Sequence, residues 1–246
     1  MIALDALPGL PEVRPGDDLA ALLAAAGERV GGFEPTDVVA IAHKVVSKAE
    51  GRIVALAGVS PGPRARALAA ELGKDPRHVE VVLSESAQVV RAEGGRLICR
   101  TRHGFVCANA GVDASNATDA ETLILLPLDP DGSARGLRAA LPNRPAVVIT
   151  DSFGRAWRNG QCEVAIGCAG LRPLDDWRGL PDTAGREMRA TVIAIADEAA
   201  AAADLARAKD SREPAIRVRG LGRHVTADDG PGVAPLIRAL EDDLFR

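Results

Sequence analysis

The run AVVIT at residues 146 to 150 most constrains the fold, because it has the length and composition of a buried strand. Asp151 and the polar sequence SFGRAWRNG follow it directly. We predict a buried strand within residues 144 to 160 that ends in a polar loop, so that Asp151 lies where the strand reaches the surface. In open sheets this is a common position for functional groups.

The other segments mix helical and strand patterns without a regular strand–helix–strand rhythm. The predicted helices occupy residues 18–30, 63–75, the later part of 126–141, 185–209 (the longest) and 233–245. Ser133 or Asp131 is expected to cap the helix within 126–141. The other predicted strands occupy residues 37–48, 96–111 (two strands around Gly104), 162–171 and 214–221. The pattern predicts an α+β (mixed α/β) fold in a single domain spanning residues 1–246.

The composition limits both the core and the partners. The chain of 246 residues has four Phe, two Trp and no Tyr, so its core must be built from Ala, Val, Leu and Ile. A net charge of −4 argues against a nucleic-acid partner, which requires a basic face. The N-terminus shows no basic and apolar leader, and no stretch of about 20 apolar residues occurs. We therefore expect a cytoplasmic protein without a membrane partner.

Several common site signatures are missing from the sequence. The cysteines form no C-x-x-C pair and the four histidines are scattered, which argues against a structural zinc site. We expect small buried hydrophobic residues at Cys99, Cys107, Cys162 and Cys168. There is also no G-x-x-x-x-G-K-[ST] P-loop, no G-x-G-x-x-G dinucleotide fingerprint and no G-x-S-x-G elbow. A nucleotide would therefore need another mode of binding.

Two acidic residues lie in polar segments that follow apolar runs. Asp113 lies in GFVCANAGVDASN (residues 104 to 116), close to Asn116, and Asp151 precedes Ser152. Carboxylate, amide and hydroxyl oxygens are the ligands that hard divalent cations prefer. If both segments face one cleft, the two carboxylates can hold one or two cations against phosphate oxygens. The alternative is that both acids only form Asx turns.

Basic side chains lie near the same segments. Arg155 and Arg158 suit a phosphate or carboxylate ligand, because a guanidinium binds such groups bidentately; alternatively, the loop is simply solvated. Lys44 and Lys48 flank VVS after an apolar run, where they either place positive charge on a phosphate or serve solubility. The segment LPGLPEV (residues 7 to 13) predicts a Pro-Gly turn that exposes backbone N–H groups.

A series of segments occurs in a characteristic order along the chain: GLPEVRPGDDL, VVSKAEGR, GFVCANAGVDASN, LLPLDPDGSAR, VVITDSFGRAWRNGQ, AIGCAGL, DWRG, TVIAIADEAAAAADL and VRGL. In content and order the series, which covers nearly the whole chain, resembles the coenzyme F420-0:L-glutamate ligase family. The resemblance implies an intertwined homodimeric α+β fold and a GTP-dependent ligase. The implied substrates are L-glutamate and the deazaflavin coenzyme F420-0, which receives further glutamates through γ-linkages. The implied ions are Mg or Mn and a stimulating K.

The resemblance also implies roles for individual residues. Asp113 and Asp151 correspond to metal-binding acids, and Ser152 corresponds to a metal-site threonine. The implied GTP contacts are Gly9, Leu10, Pro11, Glu12, Lys48 and Asn116. His43 stands where family members commonly have Ser or Thr in contact with the nucleotide, and its imidazole can still donate a hydrogen bond. Lys209 stands where archaeal relatives have an acidic or amide ligand for a second metal.

The chemistry of the residues agrees with this implied role. A free carboxylate does not form an amide at neutral pH, because oxide is a poor leaving group, whereas an acyl phosphate made from GTP reacts with the glutamate amine. Phosphoryl transfer mainly needs positioning and charge neutralisation. Asp113, Asp151 and Arg155 are the catalytic candidates, Arg155 from its charge alone as a ligand of the precursor phosphodiester or the glutamate carboxylates. The alternatives are a metal-dependent phosphohydrolase or phosphotransferase and a non-catalytic nucleotide-binding module.

Overall fold

The computed structural model describes residues 1–114, 121–208 and 211–243. Its helices are α1 (Leu19–Glu28), α2 (His43–Ala49), α3 (Pro63–Leu72), α4 (Pro76–Ser84), α5 (Pro130–Ala140) and α6 (Ile195–Leu205). Its strands are β1 (Ala3–Ala6), β2 (Val38–Ala42), β3 (Ile53–Ala55), β4 (Ser86–Glu93), β5 (Arg96–Thr101), β6 (Val106–Ala108), β7 (Thr122–Ile124), β8 (Ala146–Arg155), β9 (Arg158–Ala169), β10 (Asp175–Asp176), β11 (Val192–Ile193) and β12 (Ala215–Arg219). The predicted α+β class is confirmed.

The central sheet has the strand order β1-β12-β2-β8-β9. β2 and β8 run parallel, and each other neighbouring pair in this sheet is antiparallel. The parallel register pairs Ala42 with Thr150, so β2 ends beside the middle of β8. Beyond this point β8 continues with β9 as a hairpin. Separate small sheets are formed by β3-β7, β4-β5-β6 and β10-β11.

Buried apolar side chains form two clusters. The first surrounds the central sheet with α1, α5 and α6, and includes the fully buried Ile41 and Ile149. The second lies among α3, α4, β5 and β7, and includes Val79, Leu97 and Leu123. Aliphatic side chains dominate both clusters, as the composition predicts. The assignment of residues 1–246 to a single domain stays a prediction.

α5 is capped differently from the prediction. Oδ1 of Asp129 accepts a hydrogen bond from the backbone N–H of Gly132 at 2.8 Å, so Asp129 is the N-cap and the choice of Ser133 or Asp131 was wrong. Asp131 instead contacts β9, since its Oδ1 accepts a hydrogen bond from the backbone N–H of Cys168 at 2.9 Å. β9 lies at the edge of the central sheet, so this carboxylate binds a backbone group that has no strand neighbour there.

The strand predicted over residues 37–48 is wrong in its second half. β2 ends at Ala42, and α2 begins with His43. Val46 and Ser47 are buried on α2. Their packing against the neighbouring elements overrides the β preference of the valines, because strand propensity largely reflects how well a side chain packs.

The polar loop predicted after Asp151 is also absent from the described chain. β8 continues to Arg155, which pairs with Arg158 of β9 across a tight turn. Hydrogen bonds to β9 satisfy the backbone of this segment, so its polar side chains can remain exposed from residue 154 to residue 161.

The helix predicted over residues 185–209 was too long, and the helix predicted over residues 233–245 was wrong for the described residues up to 243. α6 begins only at Ile195, and the residues before it form an extended arm that closes with β10 and β11. Gly185 has a φ of 79°, which suits the turn of this arm rather than a helix. Residues 233–243 contain only the 3₁₀ turns Ala234–Leu236 and Leu240–Asp242. In the described parts of the chain, no helix combines the length and apolarity needed to cross a membrane.

Candidate functional site

The candidate site lies where β2 ends and α2 begins. His43, the first residue of α2, is 2% exposed, and its Nε2 lies 3.3 Å from Oδ1 of Asp151 on β8. Because Ala42 pairs with Thr150, the residues that follow them are also neighbours. The side chain of Asp151 is 15% exposed, and its Oδ1 also accepts the backbone N–H of Ser152 at 2.8 Å.

Asp113 reaches the site from a smaller sheet. Asn109 and Ala110 precede it with φ angles of 51° and 53°, a left-handed conformation that costs non-glycine residues roughly 1–2 kcal/mol each. Two backbone hydrogen bonds between Asp113 and Ile124 then fix the segment beside β7. Oδ2 of Asp113 lies 2.7 Å from Nζ of Lys44. Strain of this kind is typical of functional sites, where the surrounding structure maintains it.

The two predicted acids therefore meet consecutive residues of one helix. Asp151 contacts His43 and Asp113 contacts Lys44, although Asp151 lies on β8 and Asp113 forms an isolated bridge with Ile124 of β7. That both carboxylates face one cleft stays a prediction. Consecutive helical residues point about 100° apart, so the sharing of one cation by both acids stays a prediction.

The predicted nucleotide loop, residues 9 to 12, is tied to the same helix. Nζ of Lys48 donates a hydrogen bond to Oε1 of Glu12 at 2.5 Å, and the lysine side chain is 9% exposed. Gly9 has a φ of 76°, and a Cβ at this position would lie 2.8 Å from Nη1 of Arg29. The close guanidinium and the left-handed backbone together explain why glycine occupies this turn.

A cleft of about 140 Å³ lies beside the Lys48–Glu12 pair. Its lining is mostly apolar, and it consists of Glu12, Val13, Arg14, Pro15, Lys48, Ile53, Thr122 and Ile124. Leu10 packs against the first apolar cluster, and Pro11 is exposed. The loop thus presents one charged pair next to an apolar surface, which is the usual composition of a small-molecule site.

A buried polar network supports Ser152, and the sequence did not predict it. The hydroxyl of Ser152 donates a hydrogen bond to Oε1 of Glu163, which is 3% exposed. Arg207 follows α6 and places Nη2 2.9 Å from Oε2 of Glu163 and 3.4 Å from Oγ1 of Thr150. The only signal in the sequence was an acidic residue within the apolar run CEVAIGC, where a buried carboxylate requires a partner.

Arg155 and Arg158 do not lie at the Asp151 carboxylate. Both are exposed near the end of the β8–β9 hairpin, and Arg155 donates a hydrogen bond to the backbone oxygen of Asn159 at 2.9 Å. Arg155 lies four positions beyond Asp151 along β8, which corresponds to roughly 13 Å. A catalytic role for Arg155 stays a prediction. Asn116 and Lys209 lie outside the described residues.

Neighbouring titratable groups limit the chemistry of the site. Burial raises the pKa of the Cys107 thiol to about 12, and the charge of Asp151 adds to this effect. The thiol is therefore neutral near pH 7 and is a poor nucleophile. Burial also lowers the pKa of His78 on α4, with Lys74 acting in the same direction. Because of its raised pKa, Cys107 is unsuited to act as a nucleophile near neutral pH.

The donor groups suit a hard divalent cation that also binds a phosphate. Asp113 and Asp151 offer carboxylate oxygens, and Ser152 offers a hydroxyl. Within residues 1–114, 121–208 and 211–243, no three or more His, Cys, Asp or Glu side chains converge closely enough to hold an ion by themselves. Mg²⁺ usually binds through one or two carboxylates and completes its shell with phosphate and water. The residues fit that mode rather than a closed protein cage.

The fold and the site define an α+β protein that has no P-loop and presents carboxylates beside a small cleft and a buried lysine. The family model described as F420-0:Gamma-glutamyl ligase matches residues 9–220. The chain therefore belongs to the F420-0:gamma-glutamyl ligase family, as the resemblance of its segments implied.

Full-length relatives agree with this membership. A protein of Methanothermobacter thermautotrophicus named coenzyme F420:L-glutamate ligase is 43% identical, with 100% of this chain and 99% of the relative covered. A protein of Methanopyrus kandleri with the same name is 45% identical, with 100% and 98% covered. A third, from Halobacterium salinarum, is 43% identical, with 98% and 94% covered.

Proposed function

We propose that this protein ligates L-glutamate to the deazaflavin coenzyme F420-0 with GTP as the phosphoryl donor, and that further glutamates follow through γ-linkages. The precursor carboxylate attacks the γ-phosphorus and GDP leaves. The glutamate amine then attacks the acyl phosphate, loses a proton and expels phosphate. The observation that carries the proposal is the 43–45% identity, over nearly the full length of both chains, to relatives named for this ligation.

Several polar side chains of the site have a place in this reaction. A bound Mg or Mn would supply positive charge at the phosphates, and K is proposed as an additional stimulating ion. Asp113, Asp151 and Ser152 would hold the divalent cation. Lys48 is the buried cation that can bind a phosphate oxygen, and it would exchange its contact with Glu12 for that oxygen.

Among the remaining proposed nucleotide contacts, Glu12 accepts a hydrogen bond from this lysine, and His43 precedes Lys48 on the same helix. Gly9 lies in the Pro-Gly turn, and Leu10 and Pro11 connect it to Glu12. With Asn116 they complete the proposed nucleotide-binding set. Backbone N–H groups in such a turn can bind phosphate without a P-loop.

We also propose that the active form is a homodimer. Val106 on β6, Trp157 at the end of the β8–β9 hairpin and Leu205 at the end of α6 are 46%, 88% and 87% exposed. A dimer interface would bury these side chains if they lie in one contiguous apolar patch, since such patches mark protein–protein contacts. Arg155 lies near Trp157, so its catalytic role is proposed for the dimer. Light scattering coupled to gel filtration should give twice the 25.5 kDa mass of one chain; the mass of one chain would contradict the dimer.

The activity is tested by incubating the protein with GTP, Mn²⁺ and L-glutamate, with and without the deazaflavin precursor, followed by mass spectrometry. We expect glutamate-sized mass increments that require GTP, together with equal amounts of GDP and phosphate for each bond. Phosphate release without glutamate or precursor would instead support a phosphohydrolase. Bound nucleotide without any turnover would support a non-catalytic binding module.

A further inference from the structure

The imidazole of His43 is buried, and one of its two ring nitrogens makes no hydrogen bond to a described residue. It is 2% exposed and lies between the end of β2 and the side chain of Asp151. Buried histidines normally satisfy both ring nitrogens, because an unpaired buried polar atom costs about 1–3 kcal/mol. The two nitrogens of His43 differ in this respect.

Nδ1 has a neighbour within its own helix. It lies 3.3 Å from Oγ of Ser47, one helical turn further along α2. Nε2, by contrast, makes no hydrogen bond of acceptable geometry to any described residue. It nevertheless lies 3.3 Å from Oδ1 of Asp151, an oxygen that already accepts the backbone N–H of Ser152.

An ion pair explains this contact poorly. A protonated Nε2 would donate a well-aligned hydrogen bond to the carboxylate. In such charge-assisted hydrogen bonds the nitrogen–oxygen distance is usually about 2.7–2.9 Å. The contact of His43 is longer and lies outside hydrogen-bond geometry.

A metal ion explains the contact better. If Nδ1 donates its hydrogen to Ser47, then Nε2 presents a lone pair toward the carboxylate of Asp151. Histidines that bind metals usually donate from their other ring nitrogen in this manner. Two ligands bound to one ion at about 2.0–2.2 Å lie roughly 3.0–3.4 Å apart. The observed separation of Nε2 and Oδ1 falls within that range.

We propose that His43 is a ligand of the divalent cation at Asp151 and shifts its preference from Mg²⁺ toward borderline cations such as Mn²⁺ and Co²⁺. Mg²⁺ favours an all-oxygen shell, whereas imidazole strengthens the binding of first-row transition metals. This inference rests on the metal site of the proposed function. It adds one ligand and the resulting metal selectivity.

The test uses Mn²⁺ alone as the probe on protein first freed of metal. Electron spin-echo spectroscopy of the Mn²⁺ complex should show the ¹⁴N modulation of a directly bound imidazole. The modulation should disappear in His43→Ser and in His43→Gln, the second of which keeps most of the side-chain volume. In calorimetric titrations both variants should bind Mn²⁺ about tenfold or more weakly, while Mg²⁺ affinity should change by less than about threefold.

A matched control separates this effect from the loss of any buried histidine. His224 is also 2% exposed but follows β12 at the opposite end of the central sheet. His224→Gln should retain both the modulation and the Mn²⁺ affinity of the unaltered chain. Circular dichroism verifies that each variant is folded.

The outcomes distinguish this inference from the site on which it rests. Mn²⁺ that binds in a manner dependent on Asp151, yet shows no ¹⁴N modulation, overturns the role of His43 and leaves the carboxylate site intact. Modulation that persists in His43→Ser and His43→Gln also overturns it. If Asp151→Asn leaves Mn²⁺ binding unchanged, the proposed site itself is wrong.

Discussion

Asp151 is a proposed metal ligand whose Oδ1 lies 3.3 Å from Nε2 of His43 and accepts the backbone N–H of Ser152. We expect Asp151→Asn to lower the rate of glutamate addition by about 100-fold or more, because the amide cannot supply the negative charge that holds the cation. The measurement is GTP-dependent mass increase of the precursor under saturating substrates. Asp18→Asn is the control, since Asp18 caps α1 far along the chain and asparagine caps equally well. Equal rates for Asp151→Asn and the unaltered chain would remove the metal assignment.

Asp197 provides a test of stability at the same scale. Burial raises its pKa, although its Oδ1 accepts the backbone N–H of Ala165 at 2.9 Å. A raised pKa means that the folded state favours the protonated carboxyl group over the ionised one. The stability that the protonated group contributes is therefore lost as the pH rises through the folded-state pKa. Asp197→Asn keeps the acceptor and removes the charge. We expect it to unfold at a higher urea concentration than the unaltered chain at pH 7.

The stability of Asp197→Asn relative to the unaltered chain should also depend on pH. As the pH falls, the raised pKa of Asp197 lets its carboxylate take up a proton in the folded state sooner than in the unfolded state, so the advantage of Asp197→Asn should shrink toward acid pH. Asp176→Asn should behave oppositely at pH 7, because hydrogen bonds from Arg178 lower the pKa of Asp176 to about 2 and thereby favour its charged form. A loss of stability in Asp197→Asn at pH 7 would show that the buried charge itself is useful.

At the scale of single residues, the sequence identified Asp113 and Asp151 because each follows an apolar run and precedes polar residues. It could not identify Glu163 or Arg207, because their contact depends on the register between β8 and β9 and on where α6 ends. Long-range pairing of this kind leaves no mark on local periodicity.

Among the elements, α5 and β9 approach each other closely at Gly167. A Cβ at this position would lie 2.5 Å from the backbone carbon and oxygen of Pro130. We expect Gly167→Ala to destabilise the fold by about 1–3 kcal/mol, because the helix must move away from the strand. Thermal and urea unfolding measure the effect.

Gly136 on the same helix is the matched control. It is exposed, and an added Cβ would meet no described atom within 4 Å. Gly136→Ala should therefore stabilise the protein by about 0.5–1 kcal/mol, since alanine favours a helix more than glycine does. If both substitutions changed the free energy of unfolding in the same direction, close packing at Gly167 would not explain the effect of Gly167→Ala.

The sequence predicted the type of an element where its apolar periodicity was strong. It often did not predict where the element ends. α1 and β12 lie within the predicted ranges, because their apolar spacing matches one type of structure. Residues 43 to 49 contain two adjacent valines and were predicted as strand, but the sheet ends at Ala42 and the valines pack on a helix. The extended arm before α6 was missed, because its backbone pairs only with itself.

For the whole molecule, the proposed ligands bring together segments that belong to different apolar clusters. Asp151 extends from the central sheet of the first cluster, and Asp113 follows Val112 of the second. GTP with Mn²⁺ at 100 times its dissociation constant should stabilise the fold by about 2.7 kcal/mol. For a chain of this length, that corresponds to a rise in Tm of roughly 5–10 °C.

Differential scanning fluorimetry measures this rise. ATP with Mn²⁺ should give a smaller shift if the site distinguishes guanine, and Asp151→Asn should abolish the part that depends on the metal. The absence of any shift with saturating GTP and Mn²⁺ would contradict nucleotide binding at this site. The α+β class was predictable at this scale because it depends on element types, whereas the two clusters depend on tertiary packing.

The adjacency of His43 and Lys44 has a consequence for how such a chain can diversify. His43 and Lys44 are joined by one peptide bond, so the distance between the partners of the two acids is fixed. Surface segments can lengthen or shorten without changing that distance. An insertion of even one residue between positions 43 and 44 would turn the second partner away from its carboxylate, and we expect laboratory libraries to reject length changes there while accepting them in the β8–β9 hairpin turn.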